Sequence, residues 1–213
     1  MRHAGREVFS LTLDRLPDLP APCVSCIFWE LHPALAAASI ARGDPGPDKE
    51  SWLSSALLEW GSVGQIGYVD RVPAGYVTYA PPHLVPRANA FPTAPVSADS
   101  VILMTARVIP EFAGQGLGRV LIQGAAKDVM RRGVRAVEAF GYLGDPESPK
   151  ASCLIPAGFL TAVGFKTVRG HRTYPRLRLD LRTTLTWRED MEAAVERLLV
   201  TVRRPSLSHG HRA

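Results

Sequence analysis

The stretch Val101–Arg119, VILMTARVIPEFAGQGLGR, constrains the fold of this chain more than any other segment. Its hydrophobic first half predicts a strand that ends at Pro110. Glycines then alternate at positions 114, 116 and 118, and an amphipathic run continues from Leu117 to Met130. Glycines between a strand and a helix let backbone N–H groups surround an anion without interference from Cβ atoms. Because the helix N-terminus adds unsatisfied donors and partial positive charge, the segment is typical of a phosphate or pyrophosphate site.

Two common phosphate-binding patterns fit this segment poorly. A P-loop ends in Gly-Lys-Ser/Thr, whereas Arg119 follows Gly118 here. The dinucleotide fingerprint needs a third glycine three residues after the second, and that position is again Arg119. Glycines that serve a tight turn and bind no ligand are the remaining structural alternative.

The segment resembles the acyl-CoA pyrophosphate loop of the GNAT superfamily of N-acetyltransferases. The family pattern is Gln/Arg-x-x-Gly-x-Gly/Ala after a strand, and residues 113–118 read Ala-Gly-Gln-Gly-Leu-Gly. Ala113 therefore stands where the family usually has Arg or Gln. The departure weakens the match without breaking it, because the family makes its contacts in this loop largely through backbone amides.

A second segment, Cys153–Phe165, resembles another signature of the superfamily, in which a short helix ends in Phe-Tyr-x-x-x-Gly-Phe and a strand follows. Gly164 matches the glycine of that signature and fits a helix stop. Leu160 stands where many members have the Tyr that protonates the departing CoA thiolate. Cys153 stands where many have an Asn that hydrogen-bonds the cofactor. The resemblance covers residues 60–180 and keeps the superfamily's order.

The resemblance implies an α/β fold with a mixed, mostly antiparallel central sheet that is flanked by helices and splayed at the cofactor slot. It implies acetyl-CoA as the acyl donor and no metal. Arg107, Val108 and Ile109 would flank the pantetheine arm, and a backbone N–H near Val108 would meet the thioester oxygen. The pyrophosphate would be held by a loop whose residues are Ala113, Gly114, Gln115, Gly116, Leu117, Gly118 and Arg119.

Three residues are candidates for the proton steps of acyl transfer. Glu138 lies on the predicted strand Val134–Phe140, next to the splayed region, where a carboxylate could accept a proton from an amine; the alternative is a polar residue on a solvent-facing side of the strand. Tyr142 is a candidate acid. Cys153 could contact the cofactor or replace the missing acid, because a thiol with a pKa near 8.5 can protonate a thiolate. Its alternative is a small, buried apolar residue.

Composition limits the partners that this chain can have. The formal net charge is +5, and 18 of the 25 basic residues follow residue 100, which suits a polyanionic cofactor. The sequence lacks a basic stripe interleaved with aromatic residues, which is the pattern that would predict a nucleic-acid-binding surface. No apolar run reaches the ~18 residues of a membrane span, and no signal peptide is visible, so a cytoplasmic location is expected. Cys23 and Cys26 have a zinc-like spacing but lack a second pair of ligands.

The chain is predicted to form one acyltransferase domain over residues 1–182, followed by an amphipathic helix over 186–203 and a disordered basic tail over 204–213. The helix begins with a capping box at Thr186–Glu189, and its apolar stripe needs a cover, either this domain or a second subunit of a homodimer. Within the domain, Val24–Leu31 is predicted to be a strand. Pro81–Ser100 holds five prolines and predicts a loop between two strands. The resemblance implies that this loop lies beside the acceptor cleft; the alternative is a rigid surface connection.

Three functions remain open from the sequence. The first is an N-acetyltransferase that moves an acetyl group from acetyl-CoA directly to a primary amine of a small molecule or peptide. The second is a non-catalytic acyl-CoA-binding protein whose bound ligand regulates a partner; Leu160 in place of a Tyr favours it. The third is a nucleotide-binding interaction module. The sequence does not identify the acceptor.

Overall fold

A computed structural model gives the fold of residues 5–145 and 153–181, which are the residues that the structure describes. Within them, the strands and α-helices are β1 (Arg6–Ser10), α1 (Pro33–Ala41), α2 (Gly46–Glu59), β2 (Gly64–Val69), β3 (Val72–Ala80), β4 (Ser100–Val108), α3 (Leu117–Arg131), β5 (Ala136–Tyr142), β6 (Ile155–Pro156), α4 (Ala157–Ala162), β7 (Lys166–Arg169) and β8 (Arg176–Asp180).

The strands form one sheet in the order β1-β2-β3-β4-β5-β8-β7, and β6 pairs with β5 beside that path. The pairs β4–β5 and β5–β6 are parallel, and the other neighbouring strands run antiparallel. Helices pack on the sheet, so the predicted fold class, a mixed and mostly antiparallel sheet flanked by helices, is confirmed.

Each face of the sheet has its own hydrophobic core. On one face, α3 buries the side chains that the sequence places on its apolar stripe, and Leu121 and Val129 are fully enclosed. On the other face, α2 and the segment before α1 pack against the strands, with Trp29 and Phe140 at the centre of that core. Burial of an apolar side chain of this size stabilises a fold by about 1.5–3 kcal/mol, so α3 and the sheet position the glycine loop between them firmly.

The prediction of a strand over Val24–Leu31 was wrong. The segment forms a series of turns, in which the N–H of Cys26 bonds the carbonyl of Cys23 (3.3 Å) and the N–H of Leu31 bonds the carbonyl of Ile27 (3.4 Å). Its apolar residues lie in the second core, but the backbone satisfies its hydrogen bonds locally. In this segment, the apolar run therefore indicates that the residues are buried, and it does not indicate a strand.

The predicted helix over 186–203 and the predicted tail over 204–213 lie outside the described residues and stay predictions. Among the helices that the structure does describe, none combines the length and the apolar character that a membrane span requires.

Candidate functional site

The candidate site begins where β4 and β5 separate. The two strands pair over Ser100–Ile102 and Ala136–Glu138, and further along β5 pairs with β6 instead. An opening, the wedge, therefore lies between the C-terminal halves of β4 and β5, as the splayed sheet predicted from the sequence requires.

A β-bulge in β4 lies two residues after Ile102, the last residue of β4 that pairs with β5. In the pairing of β3 with β4, Tyr79 faces Leu103 and Thr78 faces Thr105, so Met104 is an extra residue on β4. A bulge of this kind bends its strand and increases the local twist. The bulge thus accounts for the point at which the parallel pairing ends and the wedge opens.

The backbone at the end of β4 directs one N–H into the wedge. The N–H of Ile109 donates to the carbonyl of Ala74 on the β3 side, at 2.9 Å. Successive N–H groups of an extended strand point to opposite edges, so the N–H of Val108 points away from β3, towards the edge where β5 has diverged.

The glycine loop connects β4 to α3 and leaves its outer side open. A short 3-10 turn over Pro110–Phe112 follows β4, and Gly116 forms the N-cap of α3. Gly114 and Gly116 have φ angles of +75° and +80°, which other residues rarely adopt. Apart from the adjacent residues of the chain, no heavy atom lies within 4 Å of the position where a Cβ would stand on either glycine. Because the first N–H groups of a helix lack intrahelical partners, this loop presents donors and the positive end of the α3 dipole to solvent.

The side chain of Arg119 contacts α4, although its place in the glycine loop suggests a contact with the pyrophosphate. Its guanidinium donates to the carbonyl of Ala162 at the C-terminal end of α4, at 3.0 Å. The side chain therefore joins α3 to α4. The backbone N–H of Arg119 lies in the first turn of α3, where it has no intrahelical partner and can donate to an anion at the loop.

Gly118 brings three elements together at the mouth of the wedge. A Cβ on Gly118 would lie 3.2 Å from the ring of Phe159 on α4 and 3.5 Å from a methyl carbon of Val108 on β4. Glycine thus permits α3, α4 and the end of β4 to pack closely. Leu160, which stands in the position of the family's Tyr acid, is fully buried in the core beneath α4 and has no group that can donate a proton.

Glu138 is buried completely and bound on both carboxylate oxygens. Oε2 accepts from Arg176 at 2.6 Å and from the N–H of Ser97 at 3.3 Å, and Oε1 accepts from Arg178 at 3.2 Å. Both arginines belong to β8, next to β5 in the sheet. This environment argues against the predicted role as a general base, because the carboxylate faces no solvent and both of its oxygens already accept hydrogen bonds from arginines. Glu138 instead ties β5 to β8.

Asp99 extends this ion-pair network to the surface. Arg178 donates to Asp99 at 2.9 and 3.0 Å, and these hydrogen bonds hold the pKa of Asp99 below its ordinary value. A carboxylate whose pKa is lower in the folded state stabilises the fold above its unfolded-state pKa and loses that contribution as the pH falls.

We therefore expect Asp99→Asn to lower the free energy of unfolding at pH 7, and to do so progressively less as the pH is lowered from 5 to 2. The effect should stay under about 1 kcal/mol, because Asp99 is 38% exposed. Denaturant melts of both proteins across this pH range measure it, and a difference that grows towards pH 2 would contradict the assignment.

Cys153 lies beside another thiol. Its Sγ is 3.4 Å from the Sγ of Cys26, and its carbonyl accepts a hydrogen bond from the indole of Trp29 at 2.9 Å. The hydrogen bond with Cys153, together with burial, raises the pKa of Cys26, so that Cys26 is held as the neutral thiol.

Tyr142, at the end of β5, packs beside the ring of Tyr174 with 5.9 Å between the ring centroids.

Arg107, at the end of β4, contacts a third cysteine. Its guanidinium donates to the Sγ of Cys23 at 3.5 Å, and Tyr76 on β3 pairs with Arg107 across the strands. Burial and the neighbouring Cys23 raise the pKa of Tyr76. Tyr76 and Trp29 were missed as site residues. For Trp29, the available signal was its place in an apolar stretch with two cysteines, which the strand prediction for Val24–Leu31 concealed; no such signal marked Tyr76.

The described residues contain no group of three or more histidine, cysteine or acidic side chains arranged to hold a metal ion.

Comparison with solved structures identifies the fold. The PaiA N-acetyltransferase of Thermoplasma acidophilum, solved in complex with coenzyme A, aligns with a TM-score of 0.54 and 10% identity over 83% of this chain and 99% of that chain. An N-acetyltransferase from Staphylococcus aureus Mu50 aligns with a TM-score of 0.50 and 13% identity over 84% and 99%. The GNAT family N-acetyltransferase YhbS from Escherichia coli, in complex with CoA, gives 0.49 and 16% over 86% of each chain.

No protein-family model matches the sequence, and no curated protein matches it either. Identities this low carry information about the fold alone. The splayed sheet and the glycine loop before α3 agree with the resemblance seen in the sequence, and the chain has the fold of the GNAT-family N-acetyltransferases across about 83% of its length.

Proposed function

We propose that the protein transfers an acetyl group from acetyl-CoA to a primary amine. The observation that carries this proposal is the position of the glycine loop. Its open side lies at the N-terminus of α3, and Gly118 packs against Val108 at the point where β4 borders the wedge. An elongated ligand whose pyrophosphate is bound at the loop can therefore extend along the end of β4.

Backbone groups supply the binding and the electrostatic part of this function. The loop from Ala113 to Arg119 holds the pyrophosphate through N–H groups and the dipole of α3. Arg107, Val108 and Ile109 flank the pantetheine arm. The N–H of Val108 donates to the thioester oxygen and stabilises the negative charge that develops on it; one such donor is worth about 10²–10³ in rate in other enzymes.

In the reaction, the amine nitrogen attacks the thioester carbonyl carbon, so that a C–N bond forms and the C–S bond breaks. The amine loses a proton and the CoA thiolate gains one, which gives an N-acetyl amide and free CoA. Leu160 supplies no proton. Cys153 and Tyr142 remain the side-chain candidates for the proton steps, with water in the wedge as the alternative donor and acceptor.

The test is a turnover assay with the full-length protein, acetyl-CoA and a panel of primary amines. We expect free CoA thiol and acetylated amine to appear in equal amounts for at least one acceptor, at a rate that scales with protein concentration. A thiol reagent measures the first product and mass spectrometry the second. Thiol release without an acetylated amine would indicate hydrolysis and contradict the proposal.

A second function, non-catalytic binding of acyl-CoA, is favoured by two observations. Leu160 fills the position of the family's acid, and Glu138 is held in an ion-pair network. A rise in melting temperature with acetyl-CoA but not with ATP, combined with no acetylation of any amine, would support this function. A rise with ATP alone would favour a nucleotide-binding module instead.

A further inference from the structure

A cavity of about 280 Å³ lies against β5 on the face opposite α3. Its walls include three aromatic rings, two further apolar side chains and one cation: Phe28, Phe91, Tyr174, Pro92, Leu154 and Arg87. Cavities that bind small molecules are mostly apolar, with a few polar groups that set orientation. The volume is at the lower end of the range for such sites, which suits a ligand of the size of an amino acid.

The cavity adjoins the wedge. Phe91 stacks on Phe140 with 4.4 Å between the ring centroids, and Phe140 lies on β5 beyond the last residue that pairs with β4. Leu154 follows Cys153, whose thiol contacts Cys26. The cavity and the thiol pair therefore lie side by side, next to the part of β5 that borders the wedge.

Fixed contacts hold the aromatic walls in place. Phe91 also meets the ring of Tyr174 edge-on, at 5.6 Å and 83°, and the hydroxyl of Thr93 donates to the carbonyl of Tyr174 at 2.9 Å. The loop between β3 and β4 is thereby joined to the segment before β8. Rings arranged in this way offer faces and edges on which a flat ligand can stack.

Arg87 is the one cation among the described residues that line this cavity. Its guanidinium lies over the ring of Phe28, 4.3 Å from the centroid. Among the residues 5–145 and 153–181, no carboxylate forms an ion pair with Arg87. Stacking on Phe28 fixes the plane of the guanidinium, and a planar, orientated guanidinium binds a carboxylate through two parallel hydrogen bonds.

We propose that this cavity binds the amine acceptor, and that the acceptor is a small amine with a planar apolar group and a carboxylate, as in an aromatic amino acid. This inference rests on the proposed acetyltransferase function. The rings hold the planar group, Arg87 binds the carboxylate, and the amine is left facing the wedge. A polyamine would be disfavoured because it brings further positive charge to Arg87.

The experiment compares acceptors that differ by one group, with wild-type full-length protein and saturating acetyl-CoA. Phenylalanine carries the ring, the amine and the carboxylate; phenethylamine lacks the carboxylate, alanine lacks the ring, and spermidine lacks both. We expect kcat/KM for phenylalanine to exceed that for each of the others at least tenfold.

Two variants then assign the preference to this cavity. Arg87→Gln should raise KM for phenylalanine at least tenfold and change phenethylamine little. Ala90→Leu, which adds bulk at the cavity wall, should weaken both ring-bearing acceptors. Arg6→Gln, an exposed arginine on the edge strand β1, is the matched control and should change neither. Acetyl-CoA affinity and melting temperature should stay close to wild type in all three.

The possible failures are distinguishable. If other amines are acetylated but phenylalanine is not preferred, or if Arg87→Gln affects all acceptors equally, the acceptor class is wrong while the acetyltransferase function stands. If acetyl-CoA binds and no amine is acetylated, both proposals are overturned.

Discussion

Gly116→Glu is expected to lower the affinity for acetyl-CoA by more than tenfold, or more than ~1.4 kcal/mol. Gly116 is the N-cap of α3, and its outer side is open to solvent. A glutamate there would put a Cβ and a negative charge where the pyrophosphate is proposed to bind. Titration of acetyl-CoA followed by calorimetry measures the change.

Gly133→Glu is a closely matched control for this variant. Gly133 lies just beyond the other end of α3, its φ of +78° is close to the +80° of Gly116, and its Cβ position is also open. Both variants therefore strain the backbone alike and add the same charge. We expect Gly133→Glu to keep the wild-type affinity. Equal affinities for Gly116→Glu and wild type, in a folded protein, would exclude the loop as the pyrophosphate site.

The part of the fold that contains this loop was predictable because independent signals coincide there. The hydrophobic run predicts a strand from Val101 to Pro110, and the apolar stripe predicts a helix from Leu117 to Met130, with the glycines marking the loop between them. In the structure, β4 and α3 begin and end within two residues of these predicted bounds. The segment Val24–Leu31 carries one signal of secondary structure alone, its apolar character. A buried segment of turns and a buried strand can have the same apolar composition, so the prediction of a strand there was wrong.

The surroundings of the site residues depend on contacts between distant parts of the chain. The sequence placed Glu138 on a strand, but its partners come from β8, about 40 residues later. Arg176 and Arg178 alternate with leucines, which signals two cations on one face of a strand, yet nothing local pairs that face with Glu138. Likewise Cys26 and Cys153 are 127 positions apart, and only the folded chain brings their thiols together.

Glu138→Gln is expected to destabilise the protein by about 3 kcal/mol, because it removes the counter-charge of the mostly buried Arg176 and one of the carboxylates that pair with Arg178. Arg176 and Arg178 have side chains that are only 13% and 17% exposed. For a domain of this size, such a loss lowers the melting temperature by roughly 6–12 °C. Thermal melts of the two proteins measure the difference.

Turnover separates this structural role from the role of a base. Well below the melting temperature, we expect kcat and its pH dependence to stay within a few-fold of wild type for Glu138→Gln, whereas loss of a general base typically costs 10²–10⁴-fold. Glu50→Gln, the same change at an exposed position on α2, should alter neither stability nor turnover. An unchanged melting temperature combined with a hundredfold loss of kcat would instead make Glu138 the base, and would require the carboxylate to leave Arg176 and Arg178 during the reaction.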